Sequence, residues 1–405
     1  MAANGSRRNK TRKIPFVKYT ACGNNFVIMD ETAGKIMAES ELAGFAYEAT
    51  NIAFGVGCDN LLVIQRCNED MLSAIAAQYC YWREPPDPEQ AEFIFRMFEP
   101  TGEEAFCCGN GLMCIADYLS RRYNIEATTI MTEIPLDSPR VLSIGSSSQR
   151  MDSWVDIGEP RRTPPGMIQP GTTIPYRGAI DLIEPLSIEF RSHDLKPYSE
   201  DSILTLSGYL VFTGEPHLVV FPERSFSIPQ LAHGIFGSSP SRGAYAGHAD
   251  GRANFGSWLV HRIGSYINTR CLQIFPAGIN INFAYLRDSA TVEYRCYERG
   301  INRETLASGT GALAVAYVTQ QLFCAATRSF EVIPHRCRWH DPEARIQVEH
   351  TPSGWSLRST PVLLFEGSYQ RTATRFDHIT DKRGHYADHY IPQSDIAHSI
   401  KPVVS

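Results

Sequence analysis

The sequence lacks any uninterrupted apolar run approaching the ~20 residues that a membrane-spanning helix needs, so no spanning segment is expected. It also lacks a strong excess of either charge. The net −6, from 38 Lys and Arg against 44 Asp and Glu, speaks against a nucleic-acid binder working through a basic face. No apolar segment follows the basic stretch 1–13 (Arg7, Arg8, Lys10, Arg12, Lys13), so a secretory signal is not expected and the stretch reads as a disordered leader. The 11 cysteines are odd in number and lack the spacing of a disulfide framework, which favours reduced thiols in a cytoplasmic protein.

What is present is a chain of 405 residues, long enough for two or more domains with buried cores. Its most informative feature is a pair of glycine-rich stretches, Cys107-Cys108-Gly109-Asn110-Gly111 and Ala307-Ser308-Gly309-Thr310-Gly311. Each puts a proton-carrying side chain just before an apolar run that reads as a helix. In the first helix Leu112, Ile115, Ala116 and Leu119 make one apolar face. The second, 311–323, is apolar nearly all round, as in a helix buried on every side.

Elsewhere, strand character is read at 16–19, 26–29, 61–65, 93–98, 154–157, 186–190, 209–212, 218–221, 282–286 and 291–297, and a helix at 39–53. Three stretches read as additions to a core. They are 68–91 with its Glu84-Pro85-Pro86-Asp87-Pro88 run, the Gly/Ser/Ala-rich 224–267, and a polar tail, 370–405. In the tail His385 and His389 would share a helix face, but two histidines specify little, so a solvated tail and no metal site are expected. The halves echo one another: a strand, a glycine turn and a second strand precede each glycine-rich stretch, at 19–29 and 211–221. An internal duplication is a fair expectation, although no strict repeat is visible.

A helix N-terminus offers unpaired N–H groups and partial positive charge. Two of them facing each other can hold a carboxylate and stabilise the charge left when the adjacent C–H loses its proton. The same field is expected to lower the Cys108 thiol below its ordinary pKa of about 8.5, making it a base. Racemisation needs a second group on the opposite face, and by position that group is Ser308. A hydroxyl is a far weaker acid than a thiol, and no activating base stands near it in sequence. Taken singly, each stretch reads as readily as a tight turn; the double occurrence favours chemistry.

At this point the chain resembles the diaminopimelate epimerase family of pyridoxal-independent racemases and epimerases. The matching motifs are Gly23-Asn24-Asn25-Phe26, Gly57-Cys58-Asp59-Asn60-Leu61-Leu62, Arg96 to Phe98 with Gly102-Glu103-Glu104, and Cys108-Gly109-Asn110-Gly111. They continue with Gly214-Glu215-Pro216-His217, Asn280-Ile281-Asn282-Phe283, Tyr297-Glu298-Arg299-Gly300 and Glu304-Thr305-Leu306-Ala307-Ser308-Gly309-Thr310-Gly311-Ala312, and end at Phe365-Glu366-Gly367.

The resemblance implies an α/β (α+β) fold of two pseudo-symmetric domains, each a curved, mostly antiparallel sheet around a central helix, with the active site in the cleft between them. The expected division is 14–150, closed by strand 361–369, and 151–360. The resemblance further implies a cofactor-independent isomerase acting on a small amino acid, without nucleic acid or membrane partners, and it is compatible with a homodimer. Cys108 carries over as one catalytic residue and Ser308 as the substituted second. Gly109, Asn110, Gly309 and Thr310 form the carboxylate cradle. Asn24, Asn60, Glu99, Glu215, Asn280, Glu298 and Arg299 match positions that hold the rest of the substrate.

Four departures from the family pattern matter. Ser308 replaces the second cysteine, Asn60 replaces a glutamine, and Glu99 and Glu215 stand where the family has asparagines gripping a distal carboxylate. Two carboxylates facing each other in a closed cleft are costly unless one is protonated or paired. The expectation is therefore a basic or neutral distal group, with Arg299 free to pair with one of the glutamates. Two alternatives stand beside inversion: a one-base dehydratase or isomerase using Cys108 alone, and a catalytically silent binding homologue.

Overall fold

The computed structural model describes residues 11–147, 149, 151–183, 185–191, 202–237 and 255–372. Two halves are built in the same way. In the first, β1 (Thr11–Ala21) and β2 (Asn24–Asp30) form a hairpin, and α1 (Glu39–Thr50) crosses to β3 (Asn60–Arg66), parallel to β2. After α2 (Glu69–Tyr79), β4 (Phe93–Phe98) runs antiparallel to β3 and carries the short β5 (Glu104–Ala105). Helix α3 (Gly109–Tyr123) then returns the chain to β6 (Ala127–Thr132), parallel to β4, followed by β7 (Arg140–Ser147) and β8 (Asp152–Gly158).

A link follows, holding β9 (Thr173–Pro175), β10 (Asp181–Ile183) and a separate two-stranded sheet of β11 (Leu186–Glu189) and β12 (Ile203–Leu206). The second half then repeats the plan. Hairpin strands β13 (Tyr209–Phe212) and β14 (Pro216–Val220) lead through α4 (Pro222–Ser225), α5 (Pro229–Gly237) and α6 (Phe255–Arg270) to β15 (Asn280–Leu286), parallel to β14. Next come β16 (Thr291–Glu298), β17 (Arg303–Thr305), α7 (Gly309–Leu322), β18 (Ser329–Pro334), β19 (Ile346–Thr351) and β20 (Gly354–Ser359), with the same sequence of antiparallel and parallel pairings. Strands β8 and β20 pair antiparallel and join the halves, and β21 (Val362–Thr372) returns to pair with β1.

The duplication reaches into buried charge. In the first half Arg96 donates from Nε and Nη2 to the two carboxylate oxygens of Glu104 (2.8 and 2.6 Å); in the second, Arg295 does the same to Glu304 (2.6 and 2.9 Å). A planar guanidinium meeting a carboxylate through two parallel bonds fixes the short return strand against its neighbour. One continuous core runs through both halves and includes Leu112, Ile115 and Leu119 of α3, Leu313 and Val315 of α7, and Trp355 and Leu357 of β20.

Helix α7 is buried on every side from Gly309 to Gln320, as its composition requires. Helix α3 is buried from Gly109 to Leu119, a wider face than the four periodic positions indicate, because α7 and β20 also lie against it. Its end is a left-handed cap at Asn124, preceded by Arg121 and Arg122.

Within 224–267, of which 238–254 lie outside the described residues, three helices pack onto the sheet where the first half uses α1 alone. Strands β14 and β15 are parallel, so the chain must cross over between them, and α4–α6 are that crossover. Their Leu231, Ile235, Leu259, Val260 and Ile263 are buried with Phe283 and Tyr297 of the sheet. By contrast, 68–91 is an excursion, for the antiparallel strands β15 and β16 make the equivalent step by a short turn.

Strand β8 pairs with β7 on one side and with β20 on the other, and β1 and β21 pair from Thr11 and up to Thr372. Residues 1–10 of the leader and 373–405 of the tail, with His385 and His389, lie outside the described residues. Among the described residues no helix is long and apolar enough to cross a membrane.

Candidate functional site

The site forms where α3 and α7 point their N-termini at each other. Cys108 is the N-cap of α3 with φ −142° and ψ 109°, and Ser308 is the N-cap of α7 with φ −138° and ψ 120°. Cys108 Sγ accepts from the Gly111 amide at 3.4 Å, and Ser308 Oγ accepts from the Gly311 amide at 3.2 Å. The helix starts touch through glycine: a Cβ on Gly309 would lie 3.1 Å from the Asn110 nitrogen and 3.3 Å from the Gly109 Cα. Any larger residue would separate the two ends. Each carries about half a positive charge, so their approach is unfavourable by itself and is relieved by an anion between them.

The strand registers place every candidate residue in a pseudo-symmetric pair. Phe26 lies opposite Asn60 across β2 and β3, and His217 lies opposite Asn280 across β14 and β15. Asn24 therefore corresponds to Glu215, Asn60 to Asn280, Glu99 to Glu298, Asn110 to Thr310 and Cys108 to Ser308. Contacts between the halves draw the pairs together. Gly23, at φ +86°, has no room for a Cβ beside Leu306 (2.6 Å), and Arg303 reaches across to Asp59 at 3.6 Å. Within the first half Asn110 Nδ2 donates to Asn24 Oδ1 at 2.7 Å.

Two buried polar atoms here have no hydrogen-bond partner among the described residues, Asn110 Oδ1 and Asn282 Oδ1, while Asn60 is hydrogen-bonded to Glu99. Orphaned buried amides are costly, and Asn110 is one of the predicted substrate-binding residues. Gly109, Gly309 and Thr310 lie at the helix junction as expected.

The charge distribution is asymmetric. Arg299 has Pro100 as its counterpart, and its Nε and Nη2 both donate to Glu215 Oε2 (2.9 and 2.5 Å). Its backbone amide donates to Asn280 Oδ1 at 2.9 Å. The anticipated pairing of Arg299 with a glutamate thus falls on Glu215. Burial, and then the charge of Glu215, push Glu99 up to about 7. Burial pushes Glu298 up to about 8 against the hydrogen bond from Thr305 Oγ1 (2.8 Å), with Glu99, Asp59 and Glu215 adding to the rise. Burial also raises Asp59.

One expectation fails. Cys108 is not lowered: burial raises its thiol to about 12, the Gly111 amide opposes the rise only in part, and Glu298 and Glu99 reinforce it. Helix-terminus fields are worth about 1 kcal/mol, less than the burial of a thiolate among carboxylates costs.

Sequence reading missed a buried polar group behind Ser308. Thr310 Oγ1 lies 3.5 Å from Ser308 Oγ and 3.1 Å from His217 Nε2, and Asn282 Nδ2 lies 2.9 Å from His217 Nδ1. Burial, and then Arg299, lower His217 to about 3, so the ring is neutral. The available signal was polar side chains at 217 and 282 inside strands that, apart from Asn280, are otherwise apolar.

Fold and relatives together define an isomerase of the epimerase and racemase class. Within that class the chain is a relative of the diaminopimelate epimerase family. The enzyme of that name from Archaeoglobus fulgidus is 27% identical over 320 residues, 76% of this chain and 82% of the relative. That of Methanothrix thermoacetophila is 26% identical over 324 residues, with the same coverage.

Two solved structures share the fold at a TM-score of 0.52. A hydroxyproline epimerase from Agrobacterium vitis with bound trans-4-hydroxy-L-proline is 10% identical, covering 90% of this chain and 94% of its own. A probable proline racemase from Agrobacterium radiobacter K84 with bound carbonate is 11% identical, covering 91% and 95%. No protein-family profile matches the chain.

Proposed function

We propose that the protein inverts the α-carbon of an amino acid whose distal group is cationic or neutral, with Cys108 moving the α-proton and no cofactor taking part. The observation that carries this reading is the junction of two helix N-termini, each capped by a proton-bearing side chain. The substrate carboxylate lies between Gly109-Asn110 and Gly309-Thr310. When Cys108 Sγ, ionised to the thiolate, takes the α-proton, the electron pair spreads into that carboxylate, where the helix N–H groups receive the added charge. Inversion is completed when the opposite face gains a proton at the Ser308 position.

The distal end meets Glu99, Glu215 and Glu298, while Arg299 is already engaged by Glu215. A substrate ammonium or guanidinium there would relieve the repulsion among the carboxylates. It would also lower Cys108, since Glu298 and Glu99 help to hold that thiol protonated. Substrate charge and base strength are linked in this way.

A second reading rests on Ser308 itself. Without a thiol on that face, Cys108 can work alone, giving exchange with retention or loss of water. Both readings are separated by incubating the protein in D2O with L- and D-ornithine, lysine, arginine, histidine and the diaminopimelate stereoisomers. α-Deuterium incorporation with inversion supports racemisation, and incorporation with retention supports the one-base enzyme. A preference for a diaminopimelate over the basic amino acids would refute the distal-group assignment. Cys108→Ala is expected to abolish exchange; full activity in that variant would refute the role of Cys108.

A further inference from the structure

Helix α6 presents two different stripes. Leu259, Val260, Ile263 and Ile267 are buried in the core, as the crossover requires. Arg262, Ser265, Tyr266, Thr269 and Arg270 also recur at helical spacing and make a polar stripe beside them. Where the chain leaves β11, Glu189, Phe190 and Arg191 meet that stripe, and the two together line a cavity of about 710 Å3. No residue of the cleft takes part in it.

Three guanidinium groups face one carboxylate, Glu189, in this cavity, a local positive excess in a chain of net charge −6. Arg96, Arg295 and Arg299 are each paired with a glutamate. Among the described residues Arg191, Arg262 and Arg270 have no such partner. Arg262 is nevertheless held in place. Its Nη2 donates to the Glu189 carbonyl at 3.1 Å, and its guanidinium carbon lies 5.7 Å from the centre of the Phe190 ring. Its Nε has no hydrogen-bond partner. An anchored guanidinium with donors to spare is preorganised for an acceptor that the chain does not supply.

The charge and the shape narrow that acceptor. A phosphoryl group carries about −1.5 to −2 at neutral pH, enough to offset the excess of guanidinium over carboxylate. Its oxygens accept in several directions, from planar guanidinium forks and from the Ser265 and Thr269 hydroxyls. The cavity exceeds what a bare phosphate fills and lies within the range of small-molecule sites, with the Tyr266 ring as a wall for an organic remainder.

We propose that this cavity is a second binding site, separate from the cleft, for a small molecule bearing a phosphoryl group. Arg191, Arg262 and Arg270 grip the phosphoryl oxygens, and Ser265 and Thr269 complete the contacts. The assignment does not depend on which reaction the cleft performs.

The test is calorimetric titration of the full-length protein with pyrophosphate and with malonate, near pH 7 and at fixed ionic strength. A single pyrophosphate is expected to bind per chain, with malonate, whose carboxylates are planar, about fivefold weaker or more. Arg191 and Arg270 are exposed, so replacing both by Gln leaves the packing of the fold untouched. That double variant should weaken pyrophosphate about tenfold or more, since it removes two charge-assisted contacts. Arg262→Gln should weaken it as well, and Arg262→Lys, which keeps the charge and loses the fork, should recover only part. No binding of pyrophosphate overturns the proposal. Unchanged affinity in the double variant places the anion elsewhere, at the helix junction for example, and overturns it too. Equal affinity for malonate overturns the phosphoryl assignment.

Discussion

Glu99 and Glu298 occupy equivalent places in the two halves, and both hold their protons to unusually high pH, about 7 and about 8. A bound cation competes with those protons. Affinity for a basic amino acid should therefore rise severalfold from pH 6 to 9 as both carboxylates ionise, and calorimetric titration across that range checks it. Replacing Glu99 and Glu215 together by Asn should remove the preference and improve binding of a substrate with a distal carboxylate. Ser308→Cys supplies the missing thiol; a rise in inversion relative to exchange is expected in the D2O assay.

These residues differ in how legible they were. Cys108, Ser308 and the glycines stand out because a helix start has a local signature. The pairing of Arg299 with Glu215 was anticipated from charge, whereas the rise in Cys108 was not. Burial among Glu99 and Glu298 is set by strands far apart in sequence, which no local pattern reports. His217 and Asn282 lay within recognised motifs, but their partnership exists only through the parallel pairing of β14 with β15.

Helices α3 and α7 and the hairpins before them act as units. Gly309→Ala would place a methyl 3.1 Å from the Asn110 nitrogen, backbone that cannot move aside without shifting α3. A loss of about 1–3 kcal/mol in stability is expected from the overpacking, with a larger relative loss of carboxylate binding. Denaturant titration and ligand titration measure the two. In the β16–β17 hairpin, Arg295→Leu would leave Glu304 buried without its bidentate partner. A loss of about 3–5 kcal/mol in chemical denaturation is expected. The elements themselves were mostly legible, since β13, β15, β16 and both central helices fall where apolar patterning puts them. Strands β6, β7, β18, β19 and β20 went unread. The apolar face of the crossover α4–α6 was hidden by a composition rich in Gly and Ser, and only the sheet reveals it.

Across the whole molecule, stability should depend on pH through groups far from the surface. His217 is neutral in the fold, while an unfolded histidine binds a proton near 6.5. Its contribution is complete above that pH and declines as pH falls toward about 3. His217→Gln should flatten this part of the acid limb of the stability curve, measured by urea titration at intervals between pH 6.5 and 4.

The antiparallel pairing of β21 with β1 has a consequence for chain order. Thr11 and Thr372 are direct partners in that register, so the two ends of the described chain lie side by side. Covalently joining the outer ends and opening the chain in the link between β8 and β9 would give a circular permutant beginning with the second half and ending with the first. Every strand pairing described for the two halves would survive. The order in which the halves leave the ribosome would be reversed, and the permutant should still assemble the same cleft.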